Sequence, residues 1–264
     1  MPEAENAMFT GRVELLKQIH AMFKASVGRQ GRIVLTGLGG VRKTQIAAAF
    51  AYESYASAEY ATVFWIAAHT PGTLQRSFAG IAKRLQLTGN SNSSSTARPD
   101  TEFTPYVEAV QEWLSATENK NWLLIFDNVD DLESMRLSDF FPRVSHGNIL
   151  ITSRRQIASR FGSKIDVDVM SDDEAIKLLL RCSFKSDPAQ SEFEDARCLT
   201  QELGSLPLAI NQAGAYISEL DVEIRDYHAI FNTARGRMLV MNRHAACGNT
   251  SIRLNNVGAF LRYG

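Results

Sequence analysis

The segment Gly37-Leu38-Gly39-Gly40-Val41-Arg42-Lys43-Thr44 follows the apolar run Ile33-Val34-Leu35-Thr36 and leads into an Ala-rich stretch from Gln45. Strand, glycine-rich loop and helix start in that order come close to the phosphate-binding pattern G-x-x-x-x-G-K-[ST]. The chemistry explains the residue types. A polyphosphate must be wrapped by backbone N–H groups, and only a loop poor in side chains brings them near enough. The next helix presents its positive end to the anion. Lys43 would set an ammonium on the terminal phosphates, and the Thr44 hydroxyl would ligate Mg²⁺. One position departs: Arg42 occupies the place of the second glycine. Its bulk predicts a crowded phosphate path and weakened binding.

Two distant segments add to this loop. Trp122-Leu-Leu-Ile-Phe-Asp127 is an apolar strand ending in a carboxylate, the form of a residue that helps hold Mg²⁺. Asn148-Ile-Leu-Ile-Thr-Ser-Arg154-Arg155 is a second buried strand, ending in two arginines. In an open parallel sheet the C-terminal strand ends converge on the ligand crevice. Thr44 and Asp127 are therefore expected to share one ion, and Arg154 to reach the γ-phosphate. A dinucleotide loop beginning at Gly37-x-Gly39 is excluded: it needs a small residue at Arg42 and an acid after the next strand, which instead ends Ala67-Ala-His69-Thr70. No G-x-S-x-G or H-E-x-x-H occurs.

The elements that must position these residues read as alternating strands and helices. Strands are expected at Arg32–Thr36, Thr62–Ala67, Trp122–Phe126, Asn148–Thr152 and Ile165–Val169. The middle ones are nearly all apolar, as in strands buried on both faces. The last alternates Ile165, Val167 and Val169 with Asp166 and Asp168, which suits an edge. Helical stripes run through Leu15, Leu16, Ile19, Met22 and Phe23, through Thr44 to about Ser57, and through Tyr106, Val107, Val110, Trp113 and Leu114. Residues 88–104 are Ser- and Asn-rich and read as a mobile surface loop. From Ser171 the pattern is helical only. Ser171–Glu174 and Ser191–Glu194 have the S-x-x-E form of a capping box, Pro207 suits the first position of a third helix, and a fourth is expected over Val222 to Phe231.

The fold class expected is thus α/β: a parallel five-stranded sheet of the P-loop NTPase type flanked by helices, followed by a small all-helical domain. The divisions expected are residues 1–170, 171–234 and a basic, poorly ordered tail at 235–264, where five arginines stand among no acids.

Composition limits the alternatives. The 264 residues carry 28 Lys+Arg against 29 Asp+Glu, a net charge of -1, with 45% hydrophobic residues. That balance is ordinary for a globular protein and argues against a disordered chain or one dominated by a polybasic nucleic-acid arm. Specific nucleic-acid binding is not expected. No apolar run reaches the 18 to 20 or so residues of a membrane helix, and the acidic first residues do not resemble a signal peptide, so a cytoplasmic, membrane-free protein is expected. Three cysteines, Cys182, Cys198 and Cys247, lack metal or disulfide spacing and read as reduced core thiols. The five histidines read as surface or packing residues.

The order of these segments resembles the NB-ARC family, the signalling ATPases of NOD-like and plant resistance receptors, and its fungal branch in particular. Five motifs carry the likeness: Phe9-Thr-Gly11-Arg12, Gly37–Thr44, Leu123–Asp131, Gly147–Arg154 and Leu203-Gly-Ser-Leu-Pro207-Leu-Ala, within residues 8 to 232. The resemblance implies that Phe9, Gly11, Arg12 and Pro207 flank the adenine of ADP or ATP. It implies that Gly37, Gly39, Gly40, Val41, Arg42, Lys43, Thr44 and Gln45 line the phosphates, with Thr44 and Asp127 on Mg²⁺. Lys43, Asp127 and Arg154 would form the reaction centre, and the Arg154 strand would lie between the Gly37 and Asp127 strands. Such proteins act as switches, ADP holding a closed form and ATP an assembling one, in signal transduction of the innate-immunity kind; protein partners or self-assembly follow. Asn128 stands where many relatives carry a second acid, and an amide cannot take a proton as a general base does. At most slow ATP hydrolysis is expected, unless Asp130 or Asp131 acts through water. The family's effector domain, winged helix and C-terminal repeats have no counterpart here, so the chain reads as a core or truncated product. Two competing expectations remain: a nucleotide-independent adaptor whose pocket Arg42 has closed, and a P-loop phosphotransferase.

Overall fold

The computed structural model describes residues 9–26, 28–87, 104–184 and 190–233. The chain divides into two compact units between Asp168 and Val169. The first runs α1 (Val13–Lys24), β1 (Gly31–Thr36), α2 (Lys43–Ala56), β2 (Thr62–Ala67), α3 (Pro71–Arg84), α4 (Thr104–Ser115), β3 (Trp122–Asp127), β4 (Asn148–Ser153) and β5 (Ser163–Asp166). All strand pairs are parallel, in the order β2-β3-β4-β1-β5. The β4 strand that leads to Arg154 lies between β1 and β3, as the family resemblance implies.

The central strands are apolar because helices cover both faces. Val34, Leu124, Phe126, Ile149 and Ile151 pack with Leu74 and Phe78 of α3 and Val110 and Leu114 of α4. Residues of the opposite parity, such as Ile33, Leu35, Leu123 and Ile125, are also fully or almost fully buried, as side chains alternate across a strand. The α1 and α2 helices meet through Phe23 and Phe50, whose ring centroids are 5.6 Å apart. His20 lies 4.6 Å from the same ring and places Nδ1 2.8 Å from Glu59, a packing position.

Several boundaries differ from expectation. The edge strand is Ser163–Asp166, not Ile165–Val169. Its partner β1 stops at Thr36, so the ladder ends at Thr36–Asp166, with one further bond from Val167 N to Thr36 O. It starts early because Gly162 lies against the Arg32 backbone, where a Cβ would fall 2.5 Å from Arg32 O. The α3 helix is an addition to the expected elements, and its signal lies in the sequence: Thr70 accepts from Thr73 N as N-cap, Pro71 follows, and Leu74, Phe78 and Ile81 form the buried stripe.

The second unit contains α5 (Asp172–Cys182), α6 (Gln190–Glu202), α7 (Pro207–Leu220) and α8 over 224–233. Its core joins Ile176, Leu179, Ala196, Leu199, Ile210, Ala213 and Ile217. Ser171 caps α5 in a full capping box with Glu174. Ser191–Glu194 does not cap α6, which has already begun at Gln190. Pro207 opens α7. Of the cysteines, Cys182 is buried but Cys198 is exposed; it turns outward between the inward Ala196 and Leu199, contrary to its expected core position.

Among the described residues, no helix is long and apolar enough to cross a membrane. Residues 88–103 of the expected loop, the tail from 235 and Cys247 lie outside the described residues.

Candidate functional site

The site is built where β1, β3 and β4 end along one edge. At the end of β1 the chain turns at Gly37, whose φ is +151°. A Cβ there would lie 2.2 Å from Val167 O, so the segment after β5 leaves room for glycine alone. Gly40 follows at φ +87°. Arg42 sits at φ 66°, ψ 38°, the left-handed region, and forms the N-cap of α2. An unbranched chain pays about 1–2 kcal/mol for that conformation, where glycine pays almost nothing. The helix nevertheless begins regularly, Ile46 N donating to Arg42 O at 3.0 Å. The arginine therefore loads the loop with backbone strain rather than diverting it from the helix.

Lys43 is only 8% exposed. Its Nζ donates to Gly37 O and Leu38 O, both at 2.8 Å, which draws the loop around the ammonium. An ammonium has three N–H donors; the third has no protein partner among the described residues. Burial holds the Lys43 pKa below the ordinary lysine value, with Asp130 and Asp127 opposing the shift and Arg154 adding to it.

Thr44 Oγ1 donates to Asp127 Oδ1 at 2.8 Å. The expected convergence of these two residues, 83 positions apart, is therefore observed. Thr152 Oγ1 donates to the same oxygen at 2.7 Å and accepts from Asn128 N at 2.8 Å. Thr152 was not foreseen. Its place at the end of an apolar strand, one before Ser153-Arg154, was the available signal.

Asp130, a possible base by its place in the sequence, has another connection in the structure. Its Oδ1 accepts from Arg154 N at 2.7 Å and from Ser153 Oγ at 3.3 Å, while Oδ2 accepts from Arg154 Nε at 2.6 Å. Burial pushes the Asp130 carboxyl up, but the Arg154 backbone N–H, the Arg154 guanidinium and Ser153 outweigh it and leave it below the usual carboxylate range. Asp131 instead accepts from Ser134 N at 3.1 Å. Asn128 takes φ 62°, the turn that carries the chain from Asp127 to Asp130.

The Phe9–Arg12 loop enters α1 with Gly11 at φ 78° and Arg12 at φ 62°. Arg12 Nη2 donates to Asp168 O, beside the Val167 carbonyl that crosses Gly37. Phe9 is half-buried, as is Gln45, and Val41 is buried. In the second unit, the turn before Pro207 uses left-handed residues at Gly204 and Ser205.

Residues 13–188 match the family model described as the NB-ARC domain. The chain belongs to the NB-ARC family. Relatives of this NB-ARC chain include a nucleotide-binding leucine-rich repeat (NLR)-like protein of Hyaloscypha variabilis, 27% identical over 253 residues, covering 89% of this chain and 24% of that protein. The regulatory protein AfsR of Streptomyces coelicolor is 27% identical over 223 residues, 80% of this chain and 21% of AfsR. The chain thus spans about a quarter of the length of the curated relatives it matches. A Walker-type ATPase of Pyrococcus abyssi shares the fold at a TM-score of 0.58 and 12% identity, over 93% of this chain and 78% of that one. The NB-ARC chain is accordingly a nucleotide-binding module on a P-loop NTPase fold.

Proposed function

We propose that this module binds ADP and ATP with Mg²⁺ and works as a signalling switch, with hydrolysis slow or absent. The observation that carries the reading is the joining of Lys43-Thr44 to Asp127: a buried ammonium with one donor unspent, beside a hydroxyl and a carboxylate oxygen 2.8 Å apart. The donor set suits Mg²⁺, a hard cation that prefers oxygen and takes one or two protein ligands beside substrate phosphates. Thr44 and Asp127 would hold it, and the ion would neutralise charge on the phosphates. The remaining assignments follow the family: Gly37, Gly39, Gly40, Val41, Arg42 and Gln45 around the phosphates, Arg154 on the γ-phosphate, and Phe9, Gly11, Arg12 and Pro207 around the adenine.

Slow hydrolysis follows from the base. Asn128 offers an amide, Asp130 is engaged by Arg154 and Asp131 accepts from Ser134 N, so the residue directly after Asp127 cannot take a proton from water and the nearby carboxylates are held by other donors. The domains at 1–170 and 171–234, with a basic tail after them, would act in the cytoplasm through protein partners or self-assembly.

Calorimetric or thermal-shift titration with ADP and ATP in Mg²⁺ tests the reading. Wild type should bind both, and Lys43→Ala should lose the response. Identical behaviour of the two proteins would favour instead the nucleotide-independent adaptor, with Arg42 closing the pocket.

A further inference from the structure

Arg154 is more exposed than the carboxylate that holds it: the side chains of Arg154 and Asp130 are 59% and 20% exposed. Exposed ion pairs ordinarily contribute little, but this one is not a simple contact between two long side chains. The short Asp130 side chain is itself fixed, because one oxygen takes the Arg154 backbone N–H at 2.7 Å, with the Ser153 hydroxyl, whose hydrogen goes chiefly to Val129 O at 2.6 Å, only 3.3 Å away. The other oxygen takes Nε of the same arginine. Backbone and guanidinium of one residue are therefore clasped by one carboxylate.

That clasp uses Nε alone. Neither terminal nitrogen of Arg154 has a protein hydrogen-bond partner among the described residues. A guanidinium pinned by Nε has its plane set while the two Nη groups stay available, the fork that matches a phosphate. The arm also lies over the phosphate loop: a Cβ on Gly39 would come 3.7 Å from Arg154 Cδ. That separation is ordinary van der Waals contact, so the arm and the loop are neighbours.

We propose that Asp130 is a positioning residue that aims the free fork of Arg154 at the terminal phosphate, and so sets how strongly the site prefers ATP over ADP. The inference rests on the nucleotide-binding reading above and adds a determinant of its specificity. Asp130 acts through Arg154 and touches no phosphate itself. A carboxylate there also balances the charge that Lys43 and Arg154 bring to one corner of the loop.

The test compares Kd values for ADP and a non-hydrolysable ATP analogue, in Mg²⁺, by calorimetry on the full chain. Asp130→Asn should weaken the ATP analogue about tenfold, equivalent to about 1.4 kcal/mol, and leave ADP within about twofold. Arg154→Gln should give the same selective loss. The double variant should lose no more than either single one, since both remove one interaction. Asp130→Glu keeps the charge but moves the carboxylate by one methylene, and the same selective loss is expected from it even if Asp130→Asn folds poorly. Equal weakening of ADP and ATP, no weakening, or additive losses in the double variant would overturn the proposal while leaving nucleotide binding intact. A wild type that binds neither nucleotide would overturn both.

Discussion

Thr152 and Asp127 form the hinge of the site: one hydroxyl donates to the carboxylate at 2.7 Å while accepting the Asn128 N–H at 2.8 Å. Neighbouring parallel strands, β3 and β4, thereby orient the oxygen that also meets Thr44. Residues that orient a metal-holding group commonly change metal affinity about 10- to 100-fold when removed. Thr152→Val keeps the shape and deletes both bonds. It should lower the Mg²⁺-dependent part of nucleotide affinity by about tenfold or more, measured by titrating nucleotide with and without the ion. A Thr152→Val protein with unchanged Mg²⁺ dependence would remove Asp127 from the ion's holders.

Arg42 offers a reversal. Its φ of 66° costs an L-residue roughly 1–2 kcal/mol that glycine does not incur. Part of that gain is offset by the greater freedom of glycine in the unfolded chain. Arg42→Gly should therefore raise stability by about 0.5–1 kcal/mol in urea unfolding, and tighten nucleotide binding as the loop is cleared. Lower stability in the glycine variant would mean that the arginine side chain contributes more through its contacts than its backbone loses.

Gly147 lies just before β4 with φ +71°, and a Cβ there would fall 2.3 to 2.4 Å from atoms of the Trp122 ring. Trp122 is buried and its Nε1 donates to Leu114 O, so the ring cannot swing away cheaply. Gly147→Ala combines overpacking with a left-handed backbone and should destabilise the fold by about 3 kcal/mol, read from chemical denaturation. A loss under about 0.5 kcal/mol, the range of ordinary surface changes, would show that the ring relaxes.

Acid should weaken the hold of Asp130 on Arg154. Its folded pKa lies below the ordinary carboxylate value of 3.8. The unfolded chain therefore binds the proton more readily, and the stability this group contributes is present above about pH 4 and falls away as pH drops through the lowered folded value. Wild type should lose more stability than Asp130→Asn between pH 5 and the acid limit, in paired unfolding curves taken at stepped pH. Parallel curves would show that the carboxylate is not held by Arg154 in solution.

Much of this was legible in one dimension. Continuous apolar runs at 122–126 and 148–152 marked buried parallel strands, and the glycine-rich turn before Lys43-Thr44 marked a phosphate loop, because these signals are local and rest on solvation and backbone sterics. Less local features were missed. The edge strand was displaced because its limits depend on where β1 ends, and Ser191–Glu194 failed as a cap because the helix was already under way. Cys198 turned outward because helix phase, not residue type, decides burial.

What the amino-acid order determined by itself was the chemistry available: an ammonium, a hydroxyl and a carboxylate, each set at the end of a strand or the start of a helix. Only the tertiary structure decided which atoms meet. Sheet register sets Asp127 beside Thr152, the phosphate loop carries Thr44 of α2 to the same oxygen, and the turn at Asn128 lays Asp130 along Arg154. Hydrogen bonds act over about 3 Å, and no spacing along a chain specifies distances that short until parallel strands have fixed it.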